Sequence, residues 1–159
     1  MSVTDGEANG LLALATLERF LEEDGWHPQR LGDKPIYRMG FAGRNGRFAC
    51  YAQVRIDLEQ LVFYVMVPVK APEEQRPLVA EFVTRANYGL RIGNFELDYG
   101  DGEVRFKSSL HFEGVPLDPR LIRAALEPAV TTLDRYLPGL MAVIYGGQSP
   151  LEAIGQIEG

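Results

Sequence analysis

The stretch from Asn87 to Phe112 reads NYGLRIGNFELDYGDGEVRFKSSLHF, and it decides the fold. It crowds Asn, Gly, Asp, Arg and His around few apolar residues, as an active-site loop would also do. Asp101-Gly102, however, is a dipeptide typical of a two-residue hairpin turn. Counting outward from that turn pairs Tyr99 with Val104, Asp98 with Arg105, Leu97 with Phe106, and Glu96 with Lys107. Because apolar residues meet apolar ones and acids meet bases, the stretch is predicted to form two antiparallel strands.

A second hairpin is predicted upstream, in IYRMGFAGRNGRFACYAQVRID from Ile36 to Asp57. Asn45-Gly46 predicts a two-residue type I′ turn, whose central residues both need positive φ. That turn puts alternate residues on opposite faces of the sheet. One face is apolar: Tyr37, Met39, Phe41, Cys50, Ala52 and Val54. The other is mostly polar: Arg38, Tyr51, Gln53 and Arg55.

The next segment, LVFYVMV at residues 61–67, is apolar at every position. This continuity predicts a strand in the middle of the sheet, covered on both faces over at least part of its length.

Apolar stripes at helical spacing predict three helices. They are formed by Leu11, Leu14, Leu17, Phe20 and Leu21, by Leu78, Val79, Phe82, Val83 and Ala86, and by a run from Ile122 to Ile144. The long third helix is expected to begin at Asp118-Pro119 and to be kinked or divided at Pro128 and Pro138. The resulting order, α-β-β-β-α-β-β-α, predicts an α+β domain with an antiparallel five-stranded sheet and helices packed on it.

The composition indicates one domain over residues 1–159, with a core of about residues 10–146 and a tail at 147–159. The net charge of −6 argues against a nucleic-acid partner and against adsorption to anionic membranes. No basic residue precedes Arg19, and no span is apolar enough to cross a bilayer, so we expect a cytoplasmic protein.

Residues with catalytic or metal-binding chemistry are few and scattered. His27 and His111 are the only histidines, no HExxH or GxSxG occurs, and the Gly-rich segments lack the lysine of a phosphate loop. Cys50 falls on the apolar strand face, where burial would make its thiol inert. The sequence therefore predicts no catalytic, cofactor or metal site, although an enzyme assembled from scattered residues stays a third possibility.

The polar strand face is the one candidate binding surface. Arg38, Tyr51, Gln53 and Arg55 lie on it in an otherwise acidic protein, and Arg and Tyr are enriched at protein interfaces. A solvated face with no partner explains the same residues equally well.

Four segments resemble the YbjN family of bacterial proteins: Asn87, Gly93 to Asp98, Asp101 to Val104, and Asp134 to Pro138. The resemblance implies a fold like that of type III secretion chaperones, and a homodimer. It implies no reaction, cofactor or catalytic residue.

Two functions follow from this reading. The first is a non-enzymatic protein-binding or regulatory module, chaperone-like and homodimeric, with an unidentified protein partner. The second is a small-molecule sensor with a pocket between the C-terminal helix and the sheet, near Tyr88, Phe95, Phe106 and Tyr136.

Overall fold

The computed structural model describes residues 3–159, which form four α-helices and six strands. The helices are α1 (Asp5–Glu23), α2 (Arg76–Asn87), α3 (Pro119–Ile144) and α4 (Pro150–Glu158), with a short 3₁₀ turn at Glu73–Gln75 before α2. The strands are β1 (Gln29–Arg30), β2 (Ile36–Ala42), β3 (Arg47–Arg55), β4 (Gln60–Met66), β5 (Asn94–Leu97) and β6 (Val104–His111).

The strands form one antiparallel sheet in the order β1-β2-β3-β4-β6-β5. The helices and one face of the sheet share a single hydrophobic core. Its strand residues alternate along each strand, as in Leu61, Phe63 and Val65 of β4, all fully buried. The α+β class and the antiparallel sheet are thus confirmed.

The predicted number of five strands is wrong, because β1 is a sixth. Its two residues pair with Arg38 and Tyr37, and the Leu31 amide donates to the Ile36 carbonyl oxygen at 3.0 Å. A strand of two residues is too short to show an alternating pattern, so no sequence pattern indicates it.

Both hairpins keep the predicted faces, but each is paired two residues away from the predicted register. Phe41 pairs with Phe48, and Leu97 pairs with Val104. A shift of two residues leaves each side chain on its own face, because the side-chain period of a strand is two.

Loop contacts explain both shifts. Asn45 and Gly46 do not adopt positive φ; the four-residue loop closes through the Gly43 amide and the Gly46 carbonyl oxygen, 2.8 Å apart. In the second hairpin, Gly102 does have positive φ, at +82°, but its amide donates back to Asp98 at 2.8 Å. The backbone of Gly102 also packs against Ala71, where a Cβ atom would lie 2.0 Å from the carbonyl oxygen.

Helix α3 is continuous through Pro128 and Pro138, so the predicted division does not occur. Its first turn is capped by the Asp118 side chain, which accepts from the Arg120 amide at 2.8 Å. The C-terminal segment also packs: α4 buries Ala153 and Ile154, and the Tyr136 hydroxyl donates to Glu158 Oε2 at 2.6 Å.

Candidate functional site

The sheet has one face that none of the described helices covers. We call it the open face, and it is formed by the outward-pointing strand residues. These are Ile36, Arg38, Gly40 and Ala42 of β2, Arg47, Ala49, Tyr51, Gln53 and Arg55 of β3, Gln60, Val62, Tyr64 and Met66 of β4, Asn94 and Glu96 of β5, and Arg105, Lys107, Ser109 and His111 of β6.

One row of side chains crosses the entire sheet. Successive register pairs place Gln29, Arg38, Tyr51, Tyr64, Lys107 and Asn94 side by side. Two tyrosines in the middle are therefore flanked by a cation on each side. Neighbouring strands lie about 4.8 Å apart, so the row spans roughly 24 Å.

The open face is basic although the protein is acidic. Within the described strands it carries five basic side chains and a single carboxylate, Glu96, whereas the whole chain has a net charge of −6. The described strands thus give this surface an excess of positive charge, which favours the approach of anionic groups.

Glu96 pairs with both cations of the β5–β6 side of the face. It accepts from Arg105 Nε at 2.8 Å and from Lys107 Nζ at 3.1 Å. Partial burial acts to raise the pKa of Glu96, but the hydrogen bonds from Lys107 and Arg105 outweigh it, so the pKa lies below its usual value. The guanidinium carbon of Arg105 also lies 4.1 Å from the centroid of the Tyr64 ring. Arg105 is therefore held in place by a carboxylate and an aromatic ring.

The β2–β3 side of the face is different, because its arginines have no carboxylate beside them. Arg38, Arg47 and Arg55 are exposed and form no ion pair within the described part of the chain. Arg38 Nε donates a long hydrogen bond of 3.4 Å to the Tyr51 hydroxyl.

A shallow hollow of about 410 Å³ lies at this side of the sheet. Gly40, Ala42 and Ala49 contribute small side chains to it, and Arg38 and Arg47 stand at its border. A Cβ atom added at Gly40 would have no heavy atom within 4 Å. The hollow can therefore take a small apolar side chain between two cations.

The four residues that the sequence singled out all lie on the open face. Arg38 is directly opposite Tyr51, and Gln53 occupies the adjacent row with Ile36 and Val62. Arg55 is farther along β3, opposite Gln60. The structure thus brings them onto one surface, of which they form the β2–β3 part.

Sequence reasoning missed the β4 part of this surface. Strand β4 was expected to be covered on both faces, but Val62, Tyr64 and Met66 lie on the open face, half-buried only by their neighbours. The signal was present in LVFYVMV, since apolar residues at outward positions need a covering surface. None of the described helices supplies that surface on the outward side of β4.

The other candidate residues lie apart from one another. His27 and His111 are exposed, and Cys50 is fully buried, where desolvation raises the pKa of its thiol to about 12. Among residues 3–159, no group of three His, Cys, Asp or Glu side chains could hold a metal ion. Within the same range, no helix has the length and apolar character needed to span a membrane.

The aromatic residues predicted to line a sensor pocket pack on one another instead. The ring centroids of Phe95 and Phe106 are 4.9 Å apart, and those of Phe95 and Tyr136 are 5.7 Å apart. Tyr88 is 91% exposed and belongs to the surface. These three packed rings fill space between α3 and the sheet.

The chain is similar to one protein family and to several solved structures, two of which are described below. A sequence model of the YbjN family, described as "putative bacterial sensory transduction regulator", matches residues 13–141. The crystal structure of YbjN from E. coli, described as a "putative transcription regulator", is similar with a TM-score of 0.58 and 12% identity, over 84% of this chain and 89% of that one.

The crystal structure of the ExsC–ExsE complex matches with a TM-score of 0.47 and 18% identity, over 82% of this chain and 90% of that one. The curated proteins contain no match.

Proposed function

The chain belongs to the YbjN family, and from that premise we propose that it is a non-enzymatic regulatory protein that binds a protein partner on its open face. The observation that supports this proposal most directly is the composition of that face. It is an uncovered sheet surface with two adjacent tyrosines and several arginines. It also carries three apolar side chains, Ile36 of β2 and Val62 and Met66 of β4. Tyr and Arg are enriched in the energetically important parts of protein interfaces.

The apolar residues of the open face give a second reason to expect a partner there. Val62 and Met66 lie beside Tyr64 on the same outward face of β4, the central part of the sheet. Burial of such side chains stabilises an assembly by roughly 25 cal/mol for each Å² removed from water. These side chains contribute no such stabilisation while they stay in water, whereas they stabilise a complex when a partner covers them.

A photo-crosslinking experiment tests this proposal. The crosslinking residue p-benzoylphenylalanine replaces Gln53 on the open face or, as the control, Ala15, which is exposed on α1. In the cells that naturally make the protein, we expect a discrete crosslinked protein from position 53 and not from position 15.

A second variant shows whether such a crosslink reports docking. Gly40→Val fills the hollow, where a Cβ has open space, and valine suits a strand better than glycine. We expect Gly40→Val to keep or raise the melting temperature and to abolish the position-53 crosslink. An unchanged crosslink, or identical products from positions 53 and 15, would contradict docking on the open face.

The expected homodimer stays a prediction, and sedimentation equilibrium measures it directly. The small-molecule sensor is not pursued as a second function, because Phe95, Phe106 and Tyr136 pack against one another.

A further inference from the structure

We infer that the segment bound at the open face is acidic and that Arg38, Arg47 and Arg55 recognise its carboxylates. This inference rests on the proposed function and names the chemistry of the partner. It is carried by the distribution of ion pairs on the face, where the cations of one side have a carboxylate partner and those of the other side have none among the described residues.

The side with paired cations is the β5–β6 side. Glu96 binds both Arg105 and Lys107, so these two cations are already satisfied within the protein. The arginines of the β2–β3 side lack such a carboxylate among residues 3–159. Arg38 uses only its Nε atom, toward the Tyr51 hydroxyl, which leaves its two terminal nitrogens available. A guanidinium with free terminal nitrogens matches a carboxylate through two parallel hydrogen bonds.

The spacing of these arginines favours a polypeptide over a small anion. Arg47 and Arg55 are the first and last residues of β3. At about 3.3 Å per residue they are separated by roughly 26 Å along the strand. A small carboxylic acid cannot reach both ends, whereas a chain segment with several Asp or Glu residues can. Arg38 and Arg47 also border the hollow, so a small apolar residue of that segment can enter between the carboxylates.

A single-stranded nucleic acid is a less suitable occupant. Its bases bind by stacking on exposed aromatic rings, and the central pair of such rings here is Tyr51 and Tyr64. The Arg105 guanidinium lies over the Tyr64 ring at 4.1 Å and takes the place of a base.

Charge reversal combined with a defined acidic probe tests the inference. The probe is poly-L-glutamate, titrated at low salt into the ¹⁵N-labelled full chain and followed by NMR chemical shifts. The test variant is R38E/R55E, and the matched control is R19E/R91E, which makes the same charge change at exposed arginines outside the open face. All four positions are exposed, so we expect unchanged folding, which the NMR spectra report directly.

We expect the largest shifts in the wild type at Arg38, Tyr51, Gln53 and Arg55. R38E/R55E should weaken binding at least about tenfold, whereas R19E/R91E should stay within about threefold of the wild type, because only the former loses direct ion pairs. The inference is overturned if the two double variants weaken binding equally, or if the shifts spread over the helices.

Two further measurements test whether a nucleic acid or a second copy of the chain binds the open face instead. If an oligothymidylate of equal charge binds the open face more tightly than poly-L-glutamate, the surface is a nucleic-acid site and the inference is wrong. If sedimentation shows self-association that R38E/R55E abolishes and R19E/R91E does not, the occupant is a second copy of the chain, and the inference of a separate acidic partner is again overturned.

The two proposals fail in distinguishable ways. If crosslinking from position 53 yields no specific protein, the proposed function fails. If it yields a protein whose capture is the same in wild type and in R38E/R55E, docking on the open face stands and the acidic character of the partner is refuted.

Discussion

Asp134 and Asn45 are 89 residues apart in the chain, yet they are joined by two hydrogen bonds. The Asn45 amide donates to Asp134 Oδ1 at 2.8 Å, and the Asn45 side chain donates to the Asp134 carbonyl oxygen at 2.8 Å. The other carboxylate oxygen accepts from the Arg44 amide at 2.9 Å. Helix α3 thus holds the β2–β3 loop at the end of the sheet where the hollow lies.

Asp134→Ala should loosen this loop. It leaves the Arg44 and Asn45 amides without their acceptor, and we expect the free energy of unfolding to fall by about 1–3 kcal/mol. Urea denaturation measures the change. Asp57→Ala, at an exposed aspartate in the turn after β3, is the control and should stay within about 0.5 kcal/mol of the wild type. Equal effects of the two substitutions would show that the Asp134 contacts do not stabilise the fold.

Gly10→Ala should be strongly destabilising. Helix α1 approaches Ile56, the residue directly after β3, so closely there that an added Cβ would lie 2.2 Å from its carbonyl oxygen. The helix must move away, at a cost of about 1–3 kcal/mol. The matched control is Gly155→Ala in α4, where a Cβ would have no heavy atom within 4 Å. Because alanine is the better helix former, that variant should gain up to about 1 kcal/mol. Thermal denaturation of both variants gives the comparison, and a stable Gly10→Ala protein would contradict the close packing.

Cys50 should be unreactive in the folded protein. Its side chain is fully buried, so a reagent cannot reach the sulfur. Desolvation also raises the pKa of its thiol to about 12, so the reactive thiolate does not form at neutral pH. We expect no reaction with DTNB at pH 8 until guanidinium unfolds the chain. A Ser109→Cys variant, with its thiol on the open face, should react at once under the same conditions. Rapid modification of the native wild type would refute the burial of Cys50.

Glu59 should make the fold sensitive to acid. Hydrogen bonds from the Gly114 amide and the Asn9 side chain hold the pKa of Glu59 below its usual value. A carboxylate with a lowered pKa stabilises the fold fully above its unfolded value, about 4.3, and loses that contribution as the pH falls through the folded value. We therefore expect Glu59→Gln to be less stable than the wild type at pH 7.

The difference between Glu59→Gln and wild type should shrink as the pH falls below about 4.3. Urea denaturation at a series of pH values measures it, with Glu23→Gln, at an exposed residue, as the control. If the difference between Glu59→Gln and wild type were constant over the whole pH range, the Glu59 carboxylate would not be the source of acid sensitivity.

The faces of the strands could be predicted from sequence, because they depend only on the alternation of apolar and polar residues. Tyr37, Phe95 and Phe106 are buried and Arg38, Glu96 and Lys107 point outward, as that alternation requires. The registers could not be predicted, because they depend on contacts between distant segments. Asp134 with the β2–β3 loop, and Ala71 with Gly102, override the local preference of the turn dipeptides.

The candidate surface was predictable only in part, for a related reason. Arg38, Tyr51, Gln53 and Arg55 could be assigned to one face from two adjacent strands. Tyr64 joins this row because β4 pairs with β3. That Lys107 continues the row depends on β6 pairing with β4, a long-range contact that no local pattern indicates.

Alternate residues of strand β4 have two different roles. Leu61, Phe63 and Val65 are fully buried, whereas Val62, Tyr64 and Met66 point outward. Substitutions of the buried residues therefore affect whether the chain folds. Substitutions of the outward residues affect what the open face can bind. A substitution at Val62, Tyr64 or Met66 can therefore alter what binds the sheet while the core beneath it stays the same.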